Sequence, residues 1–407
     1  MGVGSKVRMR PFGELVPREE AMRLILENIK PIERVEIIPL EQACGRVVSR
    51  DVEAEFDVPP FDRASMDGYA VRAGDTVGAP VTLREVGEIH AGMTYKGVLG
   101  PGECLEIATG SPIPEGADAV VKVEDTQPGK GEVLVRREVA PGENVAKAGE
   151  DISRGEVVVE AGTFVTPGVL GALAALGLSE VEVYAKPRVA IYSSGPEIAP
   201  QGQPLKPGQV YDINSYTVSA VVEANGGVPL RMGIMEDSWE RVEACLKEAS
   251  KYDLAVFSGG SSVGVKDLFA RAVEKRGWVY FHGVKTKPGK PTLFGMVGGV
   301  PVFGMPGYPT SCLNNAYVYL LPALRKLARL PPKKWVKVEA PLAGRLETSS
   351  GREQFITVRL EEGKAYVVYK KSGDITSMTH ADGYITLPPG RWVLEEGETV
   401  EVTLLHI

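Results

Sequence analysis

Between residues 188 and 330, short apolar runs alternate with helical patterns. The runs at 188–192, 228–234, 254–257 and 301–304 read as strands buried on both faces, because each is bounded by turn residues. Helix periodicity fills the gaps at about 215–224, 238–249, 267–276 and 310–329; in the third, Leu268, Phe269, Ala272 and Val273 share one face. Alternation of this kind predicts a parallel sheet with helices on both faces, which binds ligands beyond the carboxyl ends of its strands. Four loops then surround one crevice: Ser193-Ser194-Gly195-Pro196-Glu197, Glu236-Asp237, residues 258–267, and Met305-Pro306-Gly307-Tyr308-Pro309.

The flanks have a different texture. Residues 17–29 predict a helix, with Pro17 at its start, Glu19 and Glu20 in the first turn, and Met22, Ile25, Leu26 and Ile29 on one face. Val, Ile and Thr runs broken by Pro-Gly at 101–102, 128–129 and 141–142 predict a β-rich module inserted into the first domain. The chain then returns through a helix-like stretch at 167–178 and a strand-like one at 181–184. Pro331-Pro332 marks a boundary, and the β-rich remainder predicts a small barrel or sandwich. The expected organisation is a discontinuous domain I (1–52 and 146–186), an inserted β-rich domain II (53–145), an α/β domain III (187–331) and a C-terminal β-barrel domain IV (332–407).

Composition narrows the class. Hydrophobic content of 43% and charged content of 24% are those of an ordinary soluble protein. A net charge of −7 argues against non-specific nucleic-acid binding. No segment is apolar for long enough to span a bilayer, so no membrane partner is expected. Cys44, Cys104, Cys245 and Cys312 carry no CxxC spacing and read as buried thiols in a reducing cytoplasm. Four dispersed histidines offer no zinc site, which leaves a hard cation on carboxylates, such as Mg2+, as the expected metal.

The candidate chemistry lies at 253–315. The turn Ser258-Gly259-Gly260-Ser261-Ser262-Val263-Gly264 leads into one helix and the turn containing Pro306 and Gly307 leads into another, with Lys287-Pro288-Gly289-Lys290-Pro291 between them. Glycine backbone N–H groups, helix N-termini and lysines together suit a phosphate or another oxyanion. Tight packing alone is the plainer reading of such turns. The pattern is neither GxxxxGK[ST] nor GxGxxG, which argues against a P-loop NTPase and a nicotinamide enzyme. Of the acids at the strand ends, Glu197 is free to hold a cation. Asp237, in Asp237-Ser238-Trp239-Glu240, and Asp267 each divide between a helix cap and a metal ligand. Asp67-Gly68 reads locally as a plain turn.

These pieces match a family. The stretches 61–72 (FDRASMDGYAVR), 109–121 (TGSPIPEGADAVV), 143–151 (ENVAKAGED), 193–198 (SSGPEI), 253–267 (DLAVFSGGSSVGVKD), 287–291 (KPGKP), 304–309 (GMPGYP) and 377–387 (SMTHADGYITL) occur in the family's order. The chain resembles the molybdopterin molybdenumtransferases (MoeA and the E-domain of gephyrin). The resemblance implies a homodimer of four-domain subunits whose active cleft is shared between subunits, with domain III like the molybdopterin adenylyltransferases. It implies a reaction that takes adenylylated molybdopterin, from an upstream adenylyltransferase, and molybdate or tungstate. Metal is inserted and AMP is released with Mg2+ present. It carries catalytic roles to Asp67, Thr109, Asp151, Glu197, Asp237 and Asp267, the last three as metal ligands. Binding roles fall to Gly259, Gly260, Ser261, Gly264, Lys287, Lys290, Pro306, Gly307, Arg352 and Ser372, with Ser377 competing for the place of Ser372. Two departures stand out: Gly283 replaces a basic residue, with Lys285 two positions on, and Pro196 replaces an acid in the Ser-Thr-Gly-Asp-Glu loop. A non-catalytic cofactor carrier or scaffold is the alternative, and a kinase-like nucleotide enzyme a more distant one.

Overall fold

The computed structural model describes residues 14–259, 263–348, 351–371 and 373–405, with 263–267 described by backbone alone. The chain forms two compact units, Met1–Glu36 with Tyr184–Ile407, and Ile37–Val183.

The larger unit opens with α1 (Arg18–Asn28), which has Glu19 and Glu20 in its first turn. It buries Ala21 and Ile25 in a core shared with Val189, Ile191 and Phe294. The α/β part follows as β1 (Arg188–Ser194), α2 (Asn214–Ala224), β2 (Val228–Met235), α3 (Trp239–Ala249), β3 (Leu254–Gly259), α4 (Val263–Arg276), β4 (Gly277–His282), β5 (Leu293–Val297) and β6 (Val300–Met305). The strands form one six-stranded sheet in the order β2-β1-β3-β6-β5-β4. The four strands predicted from the sequence are all present, and β2, β1, β3 and β6 run parallel.

The sheet is not parallel throughout. β5 and β4 run antiparallel to their neighbours. For β5 and β6 the cause is a two-residue turn, Gly298-Gly299, closing the register pair Val297–Val300. Both glycines have positive φ, +59° and +83°, as a hairpin with this twist demands. Two reversals return β4 to the direction of β6. The loop after His282, which carries Lys287 and Lys290, therefore leaves the sheet at the same end as β1, β3 and β6.

The single helix expected at 310–329 is also broken. It divides into α5 (Pro309–Asn315), a π turn over Ala316–Leu320, and α6 (Leu321–Leu327). Pro322 explains the break: it lacks an N–H and its ring crowds the carbonyl four residues earlier, so the backbone widens by one residue. Helices cover both faces of the sheet. One core gathers Val256, Phe303, Tyr319 and Leu324, and the other Val242, Leu246, Phe257 and Val273.

The C-terminal strands Glu353–Glu361, Gly383–Leu387, Thr399–Leu404 and Lys337–Pro341 join a second sheet, and Lys364–Val367 pairs with the first of them. Thr286–Lys287 adds to it in parallel, with Lys287 opposite Gln354. A bridge between Leu342 and Ala365 brings the two ends of that strand path together. The smaller unit is β-rich as expected. Its six-stranded sheet runs Ala119–Lys122, Gly68–Val71, Glu103–Ile107, Val81–Ile89, Glu132–Val135, Thr126–Pro128. Cys104, Cys245 and Cys312 are buried, whereas Cys44, expected to be buried, is exposed. No helix among the described residues is long and apolar enough to cross a membrane.

Candidate active site

Beyond the carboxyl ends of β1, β3 and β6 lies a cavity of about 650 Å3, whose wall includes Ser193, Glu197, Asp237, Ser258, Gly259 and Gly307. The sequence places strand-end loops there, and the structure brings four of the predicted site residues, Glu197, Asp237, Gly259 and Gly307, to one wall.

Glu197 lies on the turn after β1. Ile198-Ala199 pairs in parallel with Val210-Tyr211, and Glu197 O accepts the N–H of Val210 at 2.8 Å. That pairing makes 210–214 a wall of the same cavity. Asp237 is not the cap of α3. Ser238 is, its side chain accepting from Arg241 N at 3.3 Å. Asp237 is thereby released from the role that its capping-box pattern predicted. Its Oδ1 is buried without a hydrogen-bond partner. Burial, and then the nearby Glu197, hold its carboxyl above the ordinary range. Asp267 is not a cap either, because α4 begins at Val263 and Asp267 falls a turn inside it. Its side chain lies outside the described residues, Gly264 is described by its backbone as part of α4, and Gly260, Ser261 and Ser372 lie outside the described residues altogether.

The sequence reading missed Asp212 and Asn214. Asp212 is 7% exposed and its Oδ1 accepts from Ser193 Oγ at 2.9 Å and from Ser215 N at 3.1 Å. Ser193 Oγ in turn lies 3.5 Å from Ser258 Oγ. Asn214 donates to Gly307 O at 2.9 Å and reaches Pro306 O at 3.5 Å, tying α2 to the turn after β6. The only local signal was Asp-Ile-Asn-Ser at a helix start, which reads as turn chemistry.

The lysine loop is a second cluster. Arg352 Nη1 donates to the carbonyl of Thr286, the neighbour of Lys287, at 3.3 Å. Buried Asn315, the last residue of α5, donates to Gly289 O at 2.8 Å and to Thr292 Oγ1, which fixes the loop between Lys287 and Lys290. Lys285 is exposed, and its N–H donates to Val16 O at 2.8 Å. Neither Lys287 nor Lys290 is among the described residues of the cavity wall. Ser377 is buried, and its hydroxyl accepts from Lys370 N at 3.1 Å, so it is engaged within the fold.

Three predicted residues belong to the smaller unit. Thr109 donates to Asp67 Oδ1 twice, through its N–H and its hydroxyl, each at 2.7 Å. Both bonds favour the carboxylate, the hydroxyl more than the N–H, and lower the Asp67 pKa. Asp67-Gly68 is thus more than a plain turn. Thr109→Val removes the hydroxyl donor and keeps the shape. It is expected to raise the Asp67 pKa toward the ordinary value, which a carbon-13 NMR titration of the carboxyl reads directly. Asp151 is exposed, and its N–H bonds to Val58 O at 3.1 Å.

Comparison with known proteins gives the arrangement a family. Residues 16–177 match the MoeA N-terminal region (domain I and II), 190–326 the probable molybdopterin binding domain, and 339–405 the MoeA C-terminal region (domain IV). The chain is similar to molybdopterin molybdenumtransferase 2 of Mycobacterium tuberculosis, at 36% identity over 91% of this chain and 95% of that one. It is similar to the molybdopterin molybdenumtransferase of Bacillus subtilis at 35% identity over 96% and 94%. A crystal structure of the molybdopterin biosynthesis MoeA protein from Pyrococcus horikoshii superimposes with a TM-score of 0.83 at 41% identity, covering 97% of this chain and all of that one. Full-length identity to enzymes of one activity, three domain matches in order and a shared fold agree: the chain belongs to the molybdopterin molybdenumtransferase family, enzymes of molybdenum cofactor biosynthesis.

Proposed function

We propose that the cavity binds adenylylated molybdopterin and that the protein releases AMP as molybdate or tungstate is inserted. The observation that carries this reading is the pairing of Glu197 and Asp237 in one cavity with no lysine or arginine among its described residues. Two acids so placed, one with a buried oxygen lacking a partner, call for a cation. No three acids or other ligating side chains among the described residues stand close enough to hold a metal alone. Mg2+ fits that arrangement, since it is commonly held by one or two carboxylates with substrate phosphate completing its shell. Glu197 and Asp237 would hold it. When bound it neutralises charge on the phosphate as the anhydride P–O bond breaks.

The other roles fall to this chain's own groups. The N–H groups around Gly259 and Gly307 face the phosphate. Lys287, Lys290 and Arg352 gather the dianionic oxyanion despite the negative net charge. A second copy supplies its Asp67, Thr109 and Asp151 to the cleft, and a molybdopterin adenylyltransferase supplies the substrate in the cytoplasm.

The test mixes the protein with adenylylated molybdopterin, Mg2+ and molybdate, tungstate or neither. Oxyanion-dependent AMP release supports the transferase and names the preferred metal. Tight pterin binding without release under any condition would instead support the carrier reading. Lys287→Ala is expected to raise the KM for the oxyanion about tenfold or more while nucleotide affinity stays constant, as steady-state kinetics and calorimetry would show. Equal loss of both would remove the oxyanion role from the loop.

A further inference from the structure

Asp212 is a buried carboxylate that the reaction as described leaves unused. Both of its hydrogen bonds end on Oδ1. Oδ2 has no partner among the described residues and is not among the sealed polar atoms, although the residue is 7% exposed and lines the cavity. A carboxylate accepts hydrogen bonds and cannot donate them. No lysine or arginine stands among the described residues of the wall to satisfy it. No group of three ligating side chains, Asp212 included, could share a metal among the described residues, so Asp212 does not simply join Glu197 and Asp237 at an ion. When no ligand is bound, water can satisfy that oxygen, and a ligand that displaces the water has to bring a donor of its own. Around Asp212 the wall turns apolar, with Pro196, Ile198, Val210, Tyr211 and Tyr308. Aliphatic and aromatic groups beside an acceptor that opens to the cavity suit a flat ring that carries N–H donors on its edge.

We propose that Asp212 is a specificity residue: its free oxygen accepts an amine N–H from a planar nitrogen heterocycle seated against this wall. Ser193 and the Ser215 N–H hold the carboxylate in place for that contact. The inference rests on the adenylylated-pterin reading of the cavity, and both rings of that substrate, adenine and pterin, carry such an amine.

The test measures calorimetric binding to the full chain for two matched pairs. AMP is compared with purine riboside 5′-monophosphate, which lacks the amine. Pterin is compared with lumazine, in which an oxo group replaces it. The wild type is expected to prefer the amine-bearing member of one pair about ten- to a hundredfold. Asp212→Asn, which keeps the size and the acceptor for Ser193, is expected to abolish that preference while binding the amine-free member as before. Loss confined to the purine pair assigns adenine, and loss confined to the pteridine pair assigns pterin. Three results would overturn the proposal: no preference in the wild type, no binding of either ring at millimolar concentration, or equal weakening of both members in Asp212→Asn. Amine discrimination in a protein that releases no AMP would uphold Asp212 and defeat the transferase reading. AMP release without discrimination would do the reverse.

Discussion

Glu197→Gln and Asp237→Asn are each expected to cut AMP release by about a hundred- to a thousandfold, the usual effect of removing one charge-stabilising group from a dry site. Near-normal turnover in both variants would remove the cation from the cavity. The two variants should differ in stability. Burial and Glu197 raise the Asp237 pKa above its ordinary 3.8, so the folded chain keeps that proton longer than the unfolded chain. A group of this kind stabilises the fold fully below 3.8, and the contribution falls away as pH rises through the folded-state value. At neutral pH the ionised Asp237 is therefore a cost to the fold, and Asp237→Asn should raise Tm by about 1–3 °C even as turnover falls. The pH profile offers a second check. Wild-type activity should fall on the acid side at a pH above that of an ordinary carboxyl. In Glu197→Gln the residual activity should hold to lower pH, because the charge raising Asp237 has gone.

Gly259→Ala is expected to destabilise the protein by about 3 kcal/mol or more and to eliminate turnover. Gly259 has a φ of +151°, which side chains rarely adopt. A Cβ there would lie 2.1 Å from Ser194 O and 2.3 Å from its Oγ. β3 pairs with β1 through Ser194 and Gly259 at the rim of the cavity. The methyl group must therefore push the two strand ends apart where the phosphate is proposed to bind. Gly344→Ala is the control, since a methyl group there meets nothing within 4 Å. Urea titration should separate the two by midpoint. Coincident midpoints would mean that the ends of β1 and β3 part without cost.

Much of this was legible before the fold was known, for identifiable reasons. Leu254-Ala255-Val256-Phe257 is buried on both faces, so its hydrophobicity is continuous and its place in a parallel sheet is plain. Glu197 stood out because no helix start accounted for it. What stayed hidden was specified by contacts remote in sequence. Asp212 becomes part of the site only through Ser193, nineteen positions earlier, and through a strand pairing two residues long. The division between cap and ligand at Asp237 turned on which of two adjacent oxygen-bearing residues bonded Arg241 N, a choice that the capping pattern does not make. The run at 301–304 is parallel to β3 as its pattern predicts, whereas the β5–β6 hairpin, signalled only by Val297-Gly298-Gly299-Val300, adds antiparallel strands that the alternation of strands and helices does not announce. The break at Ala316–Leu320 followed from Pro322, which a helical period passes over.

α5 sets the spacing between the cavity and the lysine loop. Its N-cap, Tyr308, and its first residue, Pro309, stand in the cavity wall, and its last residue, Asn315, grips the lysine loop. Thr310 on the same helix bonds Asp374 O at 3.0 Å and so seats the turn beside Gly373 at the cavity. Six residue steps of helix span about 9 Å, and a helix scarcely stretches. α5 therefore acts as a ruler. It fixes how far the lysine loop, where the oxyanion is proposed to land, stands from the cavity proposed for the nucleotide, by covalent geometry instead of by closure of a lid. A residue inserted into α5 would lengthen that ruler and turn Asn315 off its loop, leaving cavity and lysine loop each sound but out of step with one another.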